Sequence, residues 1–364
     1  MKLTTPIKLS RQNPPINYSS KVLLLGSCFA QNMGEKLEYY KFQQCTNPFG
    51  ILFHPVAIEK LIARAVNQNW FTSKDVFLQN EQWHCFLAHS KLSNTSEEDL
   101  ISALNSALEK LRFSLLEASH VVFTFGTAWV YKHLEKDTIV ANCHKVPQKE
   151  FVKQLLSPDD VSDVLLGIET KLRTINPTCS IINTVSPVRH IKDGLIENSR
   201  SKAHLIAGVQ EIVSPDKFNY YFPSHEIMMD ELRDYRYYKE DLIHPTNHTV
   251  DYIYKQLESV FMEEDTRNIT DQVRKLKAYE KQSGETVFTS ERTKSFYSPN
   301  RELRDVVRSF KKLKFPTFET EKPPAEKSTS GIEFLNLIKG IVPEAGAQEI
   351  GAQEIKTPPL PKTA

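Results

Sequence analysis

The sequence predicts an α/β protein, a three-layer α/β/α fold whose doubly wound, mostly parallel five-stranded sheet is followed by a C-terminal helical appendage. Three observations carry that expectation. Short apolar runs alternate with longer stretches of helical period, the pattern of β-α units on a parallel sheet. The first run, Val22-Leu-Leu-Leu25, passes straight into Gly26 and Ser27 and then into a helical pattern, the strand-to-helix turn where doubly wound folds hold ligands and reactive groups. A chain of 364 residues, 40% hydrophobic and 25% charged, can also bury a full-sized core.

Strands are expected over 22–25, 42–46, 121–125, 180–185 and 218–222, each a short apolar or aromatic run between polar stretches. A helix over 29–40 follows the first. Behind acidic Glu97, Glu98 and Asp99, the residues Leu100, Leu104, Leu108, Leu111 and Leu115 recur at three and four residue steps, as an amphipathic helix requires. Ser157 can cap the next helix with Pro158 at its first position, and Val161, Val164, Leu165, Ile168 and Leu172 form its apolar stripe. Leu205, Val209 and Ile212 mark a third, and Val250, Ile253, Tyr254, Leu257, Val260 and Phe261 a fourth. The aromatic stretch from Trp70 to His89 has no clear period and is expected as an excursion at a pocket wall. Composition then divides the chain into a domain over 1–262, a charged helical appendage over 263–314 with a basic helix at 301–314, and a tail over 315–364. That tail carries a direct repeat of Gly-Ala-Gln-Glu-Ile and then Pro358-Pro-Leu-Pro361, too few apolar groups to offset ordering, so disorder is expected there, with a protein partner the one role it suggests.

Lysine and arginine number 46 against 45 acidic residues, a net charge of +1, so no global field draws the chain to nucleic acid or anionic lipid. Five cysteines without C-x-x-C spacing argue against a disulfide scaffold or zinc ribbon. With no apolar leader and no uncharged apolar run of roughly 18 residues, a cytoplasmic location is expected.

A serine hydroxyl near neutral pH needs a base within reach and a group that fixes the base's tautomer. Ser27 stands where backbone N–H groups and the helix dipole favour a developing oxyanion, although serine is also a common helix cap. Far along the chain, Asp241-Leu-Ile-His244 offers a carboxylate and an imidazole three residues apart, able to orient one ring nitrogen and leave the other free. Arg189 and His190 follow a predicted strand end and are candidate contacts for an anionic group of a substrate, with Lys202 and His204 in the same zone. Ser199-Arg-Ser-Lys202 fits S-x-x-K but lacks the motifs that accompany it, and His244 with His248 has metal-ligand spacing without the glutamate. No cofactor or metal is therefore expected.

Gly26-Ser27-Cys28-Phe29-Ala30 and Asp241-Leu-Ile-His-Pro245 together resemble the GSCFA family of the SGNH (GDSL-like) hydrolases, whose name the first block spells. Asn47-Pro-Phe-Gly50, Phe125-Gly-Thr-Ala-Trp129 and Val185-Ser-Pro-Val-Arg189-His190 look like further blocks of that family in its order, and the resemblance covers roughly residues 1 to 262. It implies an SGNH/flavodoxin-like fold and a serine esterase, with a small-molecule or carbohydrate ester (an O-acetyl group, for example) as substrate. An O-acyltransferase and a non-catalytic binding or scaffold protein are the alternatives. Residue by residue, it implies Ser27 as nucleophile, with Cys28 the rival one position on, His244 as base and Asp241 as its orienter. The N–H groups of Ser27 and Gly50 would form the oxyanion hole. Gly126-Thr-Ala128 departs from the superfamily's third block, where an asparagine supplies another donor. Asn47, Trp129 and Asn183 are the candidates to replace it.

Overall fold

The structure, a computed structural model, describes residues 4–283. Its core is a parallel sheet of five strands, β1 (Lys21–Gly26), β2 (Gln43–Thr46), β5 (His120–Phe125), β9 (Ser180–Val185) and β10 (Asn219–Tyr221), in the order β10-β9-β5-β1-β2. All five expected strands are present. Helices cover both faces, so the inner strands β1, β5 and β9 bury both sides and read as largely apolar runs instead of alternating ones. Leu23, Leu25, Val121, Phe123, Phe125, Ile181 and Val185 point to one face. Val22, Leu24, Val122 and Ile182 point to the other.

The first face is covered by α2 (Pro55–Val66), α3 (Glu97–Glu117), α4 (Pro158–Ile175) and α5 (Leu195–Gln210). Ser157 caps α4 as expected, its Oγ accepting from the Asp160 N–H at 3.0 Å while Asp160 returns a bond to the Ser157 N–H. The second face is covered by α1 (Cys28–Tyr39), α7 (Asn247–Phe261) and α8 (Glu264–Ser283). Val273 and Leu276 give the otherwise charged α8 a fully buried foothold on that face, each such side chain contributing roughly 1.5–3 kcal/mol. The basic helix expected over 301–314 and the tail over 315–364 lie outside the described residues.

Two kinds of element lie outside the sequence reading. Helix α2 has buried Ala57, Ile58, Leu61, Ile62 and Ala65 at helical spacing, opposite Glu59, Lys60 and Arg64. The Trp70–His89 stretch contains a hairpin, β3 (Val76–Gln79) with β4 (Gln82–Cys85), and a separate antiparallel sheet joins β6 (Trp129–His133) to β7 (Thr138–Val140) and β8 (Phe151–Leu155). These strands are three to five residues long and alternate too briefly to stand out. Between β10 and α7 the chain passes through a short α6 (Ser224–Glu226), a π-helical segment (Ile227–Leu232) and an irregular loop. Among the described residues no helix is long and apolar enough to cross a membrane.

His54 ties α2 to the small sheet and gives the fold an acid sensitivity. Its Nδ1 accepts from the Ala57 N–H at 3.2 Å, so the proton sits on Nε2, which donates to the Val140 carbonyl at 3.0 Å. Complete burial pushes its pKa down to about 4 from 6.5. Between those values the unfolded chain takes up a proton that the folded one refuses, so this contribution to stability is intact above pH 6.5 and is lost as pH falls toward 4. Melting temperature is expected to drop on going from pH 7 to pH 5, and a His54→Gln variant to show a shallower drop; equal slopes would remove His54 from the account.

Candidate active site

Counting only strands of the main sheet, the spatial order is second, first, third, fourth, fifth, which reverses direction between β1 and β5. In open α/β sheets the crevice beyond the carboxyl ends of the strands at such a switch point is the ligand site. Register sets which residues share that edge. Gly26 pairs with Thr124, and Phe125 pairs with Val185, so Cys28, Gly126 and Ser186 lie in adjoining rows just past the strand ends.

The strand-to-helix turn depends on Gly26. Its φ is +141°, and a Cβ there would run into the Thr124 carbonyl, so no other residue lets β1 end this close to β5. Ser27 then has extended backbone, φ −69° and ψ 178°, and caps α1, its Oγ accepting from the Phe29 N–H at 3.2 Å. Its side chain is completely buried, and its own N–H donates to Thr124 O at 3.0 Å. Cys28, the first residue of the helix, is half-buried. Desolvation raises its thiol pKa, while the Lys202 ammonium and the N–H groups of Cys28 and Phe29 pull the other way. The first-turn N–H groups of a helix have no acceptor within it, so the N–H of Cys28 points off the helix end.

Asp241 and His244 meet as expected. His244 Nδ1 lies 2.7 Å from Asp241 Oδ2, and Asp241 Oδ1 accepts from the N–H groups of Ile243 and His244, both at 2.9 Å. Those two N–H groups, with the imidazole, hold the Asp241 carboxyl down to about 2, so it stays ionised. Leu242, at φ +55°, closes the turn. The Arg189 N–H donates to Ile243 O at 3.3 Å, joining this loop to the end of β9.

The expected oxyanion donors separate clearly. Gly50 N–H is spent on Asn47 O at 2.8 Å, within a turn that needs the glycine's φ of +77°, and that of Ser27 is spent on Thr124 O. Trp129 Nε1 donates to Glu197 O at 3.2 Å, and Asn183 Nδ2 is bound inside the sheet to Asn219 Oδ1 at 2.7 Å. Asn47 differs. Its Oδ1 accepts from Gly26 N–H at 2.8 Å, which identifies the oxygen end of the amide. Its Nδ2 is buried with no partner, an arrangement that costs about 1–3 kcal/mol unless a ligand or water accepts from it.

Arg189 lies with its guanidinium 4.2 Å from the Tyr238 ring centroid and 5.2 Å from that of Tyr235, a stacking role, so an anion would compete with these rings. His190 has its ring edge-on to Phe53 and a buried Nε2 without a partner, and burial together with Lys202 lowers its pKa to about 4. It is therefore a neutral imidazole beside Gly126. His225, just past β10, is likewise held at about 4 by burial and then by Lys202. No sequence motif singled it out. Helix α5 holds the Gly126–Ala128 loop: Ser201 Oγ accepts from Ala128 N–H at 2.7 Å, and Lys202 Nζ donates to Gly126 O and Ser186 O, both at 2.7 Å. The S-x-x-K pairing does not form, since Ser199 Oγ donates to Leu195 O on the exposed side of the helix. His204 Nδ1 faces Leu156 O at 2.7 Å. Among the described residues no group of three or more histidine, cysteine or acidic side chains is placed to hold a metal ion.

Compared with protein-family models, residues 21–257 match that of the GSCFA family. No curated protein matches the chain.

Proposed function

The chain belongs to the GSCFA family, and from that premise we propose that it is an SGNH-type acyl-transfer enzyme, an esterase acting on carboxylic esters such as O-acetyl groups on carbohydrate. The observation that carries this reading is the 2.7 Å contact between His244 and an Asp241 carboxylate held ionised, on a loop bonded to the segment that follows β9. Two backbone N–H groups fix that carboxylate, so it holds one ring nitrogen of His244 and leaves the other for a nucleophile.

Cys28 is the nucleophile this reading favours, over Ser27. Ser27 has no exposed surface and its oxygen is engaged as the helix cap, whereas Cys28 occupies the first position of α1 with part of its side chain open. In the reaction, Cys28 Sγ attacks the acyl carbon and its proton passes to His244. The carbonyl oxygen becomes an oxyanion that accepts from Asn47 Nδ2 and the Cys28 N–H. His244 returns the proton to the departing alkoxide, leaving a thioester. Water, deprotonated by His244, then releases the acid and restores the thiol.

Purified protein would be assayed on a short-chain aryl ester beside an Asp241→Asn variant. Asparagine fills the same space but favours the wrong histidine tautomer, and kcat is expected to fall by about 10²–10⁴-fold. Equal turnover in the two proteins, or none in the wild type with any acyl ester offered, would sink the hydrolase reading.

A further inference from the structure

Lys202 is the group the mechanism leaves unexplained. It lies near the middle of α5, is 2% exposed, and forms no ion pair among the described residues. Its only acceptors there are the carbonyls of Gly126 and Ser186. An ammonium carries three N–H donors, so these two leave one over. A buried lysine without a carboxylate is costly, and its two hydrogen bonds to buried carbonyls offset only part of that cost. Stability alone therefore does not account for it.

Its position does. The two carbonyls belong to the residues one step past the ends of β5 and β9, and the sheet register carries that row on to Cys28 at the start of α1. Lys202 and Cys28 each feel the other's charge. In the same crevice the Asn47 amide, 7% exposed, turns an unpartnered Nδ2 away from its bond to Gly26. Position 128, where an amide donor is absent, belongs to the loop that Lys202 holds.

We infer that Lys202 is a positioning residue that brings a positive charge to the strand-end row of Cys28, stabilising the thiolate and the oxyanion formed from it in place of the amide missing at Ala128. This rests on Cys28 as the nucleophile. The other charged or titratable groups facing the crevice are His190 and Asp193 from the loop after β9, Arg189 beside them, His225 after β10, and Lys239, Asp241 and His244 before α7. Of these, Asp193 and Asp241 are anionic, and they are already paired with Lys153 and His244. Burial brings the Lys202 pKa down to about 7, so the amine is partly charged near neutrality and gains charge when the thiol ionises.

The test needs no substrate. Alkylation of Cys28 by iodoacetamide is followed against pH, with peptide mass spectrometry separating it from the other four cysteines. In Lys202→Met the midpoint is expected to move up by about one pH unit or more, and the rate below the midpoint to fall about tenfold. Lys202→Gln retains a donor for the two carbonyls without the charge, and guards against a methionine variant that fails to fold; the same upward shift is expected. Profiles coinciding with wild type in a folded variant would overturn the inference. A shift in profile with no esterase activity in the wild type would support Lys202 while discarding the hydrolase reading. Activity that depends on Cys28 with unshifted profiles would overturn Lys202 alone.

Discussion

Cys28→Ala is expected to abolish ester turnover, by about 10⁴-fold or more as for removal of other covalent nucleophiles, whereas Ser27→Ala keeps measurable turnover and loses stability. The difference follows from where the two side chains sit. Ser27 Oγ accepts from the Phe29 N–H at 3.2 Å and has no surface open to a substrate. Its removal exposes an orphan donor at the start of α1 and costs about 0.5–2 kcal/mol, seen as a lower melting temperature. Cys28 is one residue further into the helix, half-buried in the row that the sheet register shares with Gly126 and Ser186. Cys28→Ser replaces a thiol by a weaker nucleophile and is expected to turn over more slowly while still labelling with a fluorophosphonate. Turnover that survives Cys28→Ala and vanishes in Ser27→Ala would reverse the assignment.

Asn47→Asp is expected to cut turnover without touching the nucleophile or the dyad. Aspartate keeps an oxygen to accept from Gly26 N–H, as Asn47 Oδ1 does at 2.8 Å, and tolerates the left-handed backbone found here at φ +46°. What it loses is the Nδ2 donor, and it puts a negative oxygen where the developing oxyanion needs a hydrogen bond. Loss of one such donor costs about 2.7–4 kcal/mol of transition-state stabilisation, or 10²–10³ in kcat. The expected signature is a fall in kcat with KM little changed, together with a lower melting temperature, because the new carboxylate is buried without a counter-charge. A fall confined to KM would place Asn47 in ground-state binding instead.

Much of the main domain was legible. Strands β1, β5 and β9 are found because burial on both faces turns each into a largely apolar run, a signal that survives without knowing the neighbours, whereas the edge strands β2 and β10 are short and carry it weakly. Helix α4 announces itself through Ser157, Pro158 and its apolar stripe. The small antiparallel sheet was not legible, because β6, β7 and β8 are short and draw much of their stability from one another. In the site, the Asp241–His244 pair was readable, since a turn of four residues brings the two together by local bonds. Gly50, Trp129 and Asn183 looked like donors in sequence, but each donates to a partner elsewhere in the fold.

The sequence by itself determined the strand-turn-helix at Gly26, the doubly wound order of elements, and the dyad of Asp241 and His244, because each depends on neighbours within a few residues or on a simple apolar pattern. Only the tertiary structure decided that Ser27 is shut in as a cap while Cys28 keeps part of its surface open, that Asn47 alone among the expected side-chain donors has an N–H to spare, and that Lys202 lies across two strand ends. Those outcomes turn on hydrogen bonds such as Lys202 to Gly126, 76 residues apart, and Asn47 to Gly26, across two strands. A polar group's role depends on whether its hydrogen bonds are already filled, and the partners that fill them come from parts of the chain that only folding brings together.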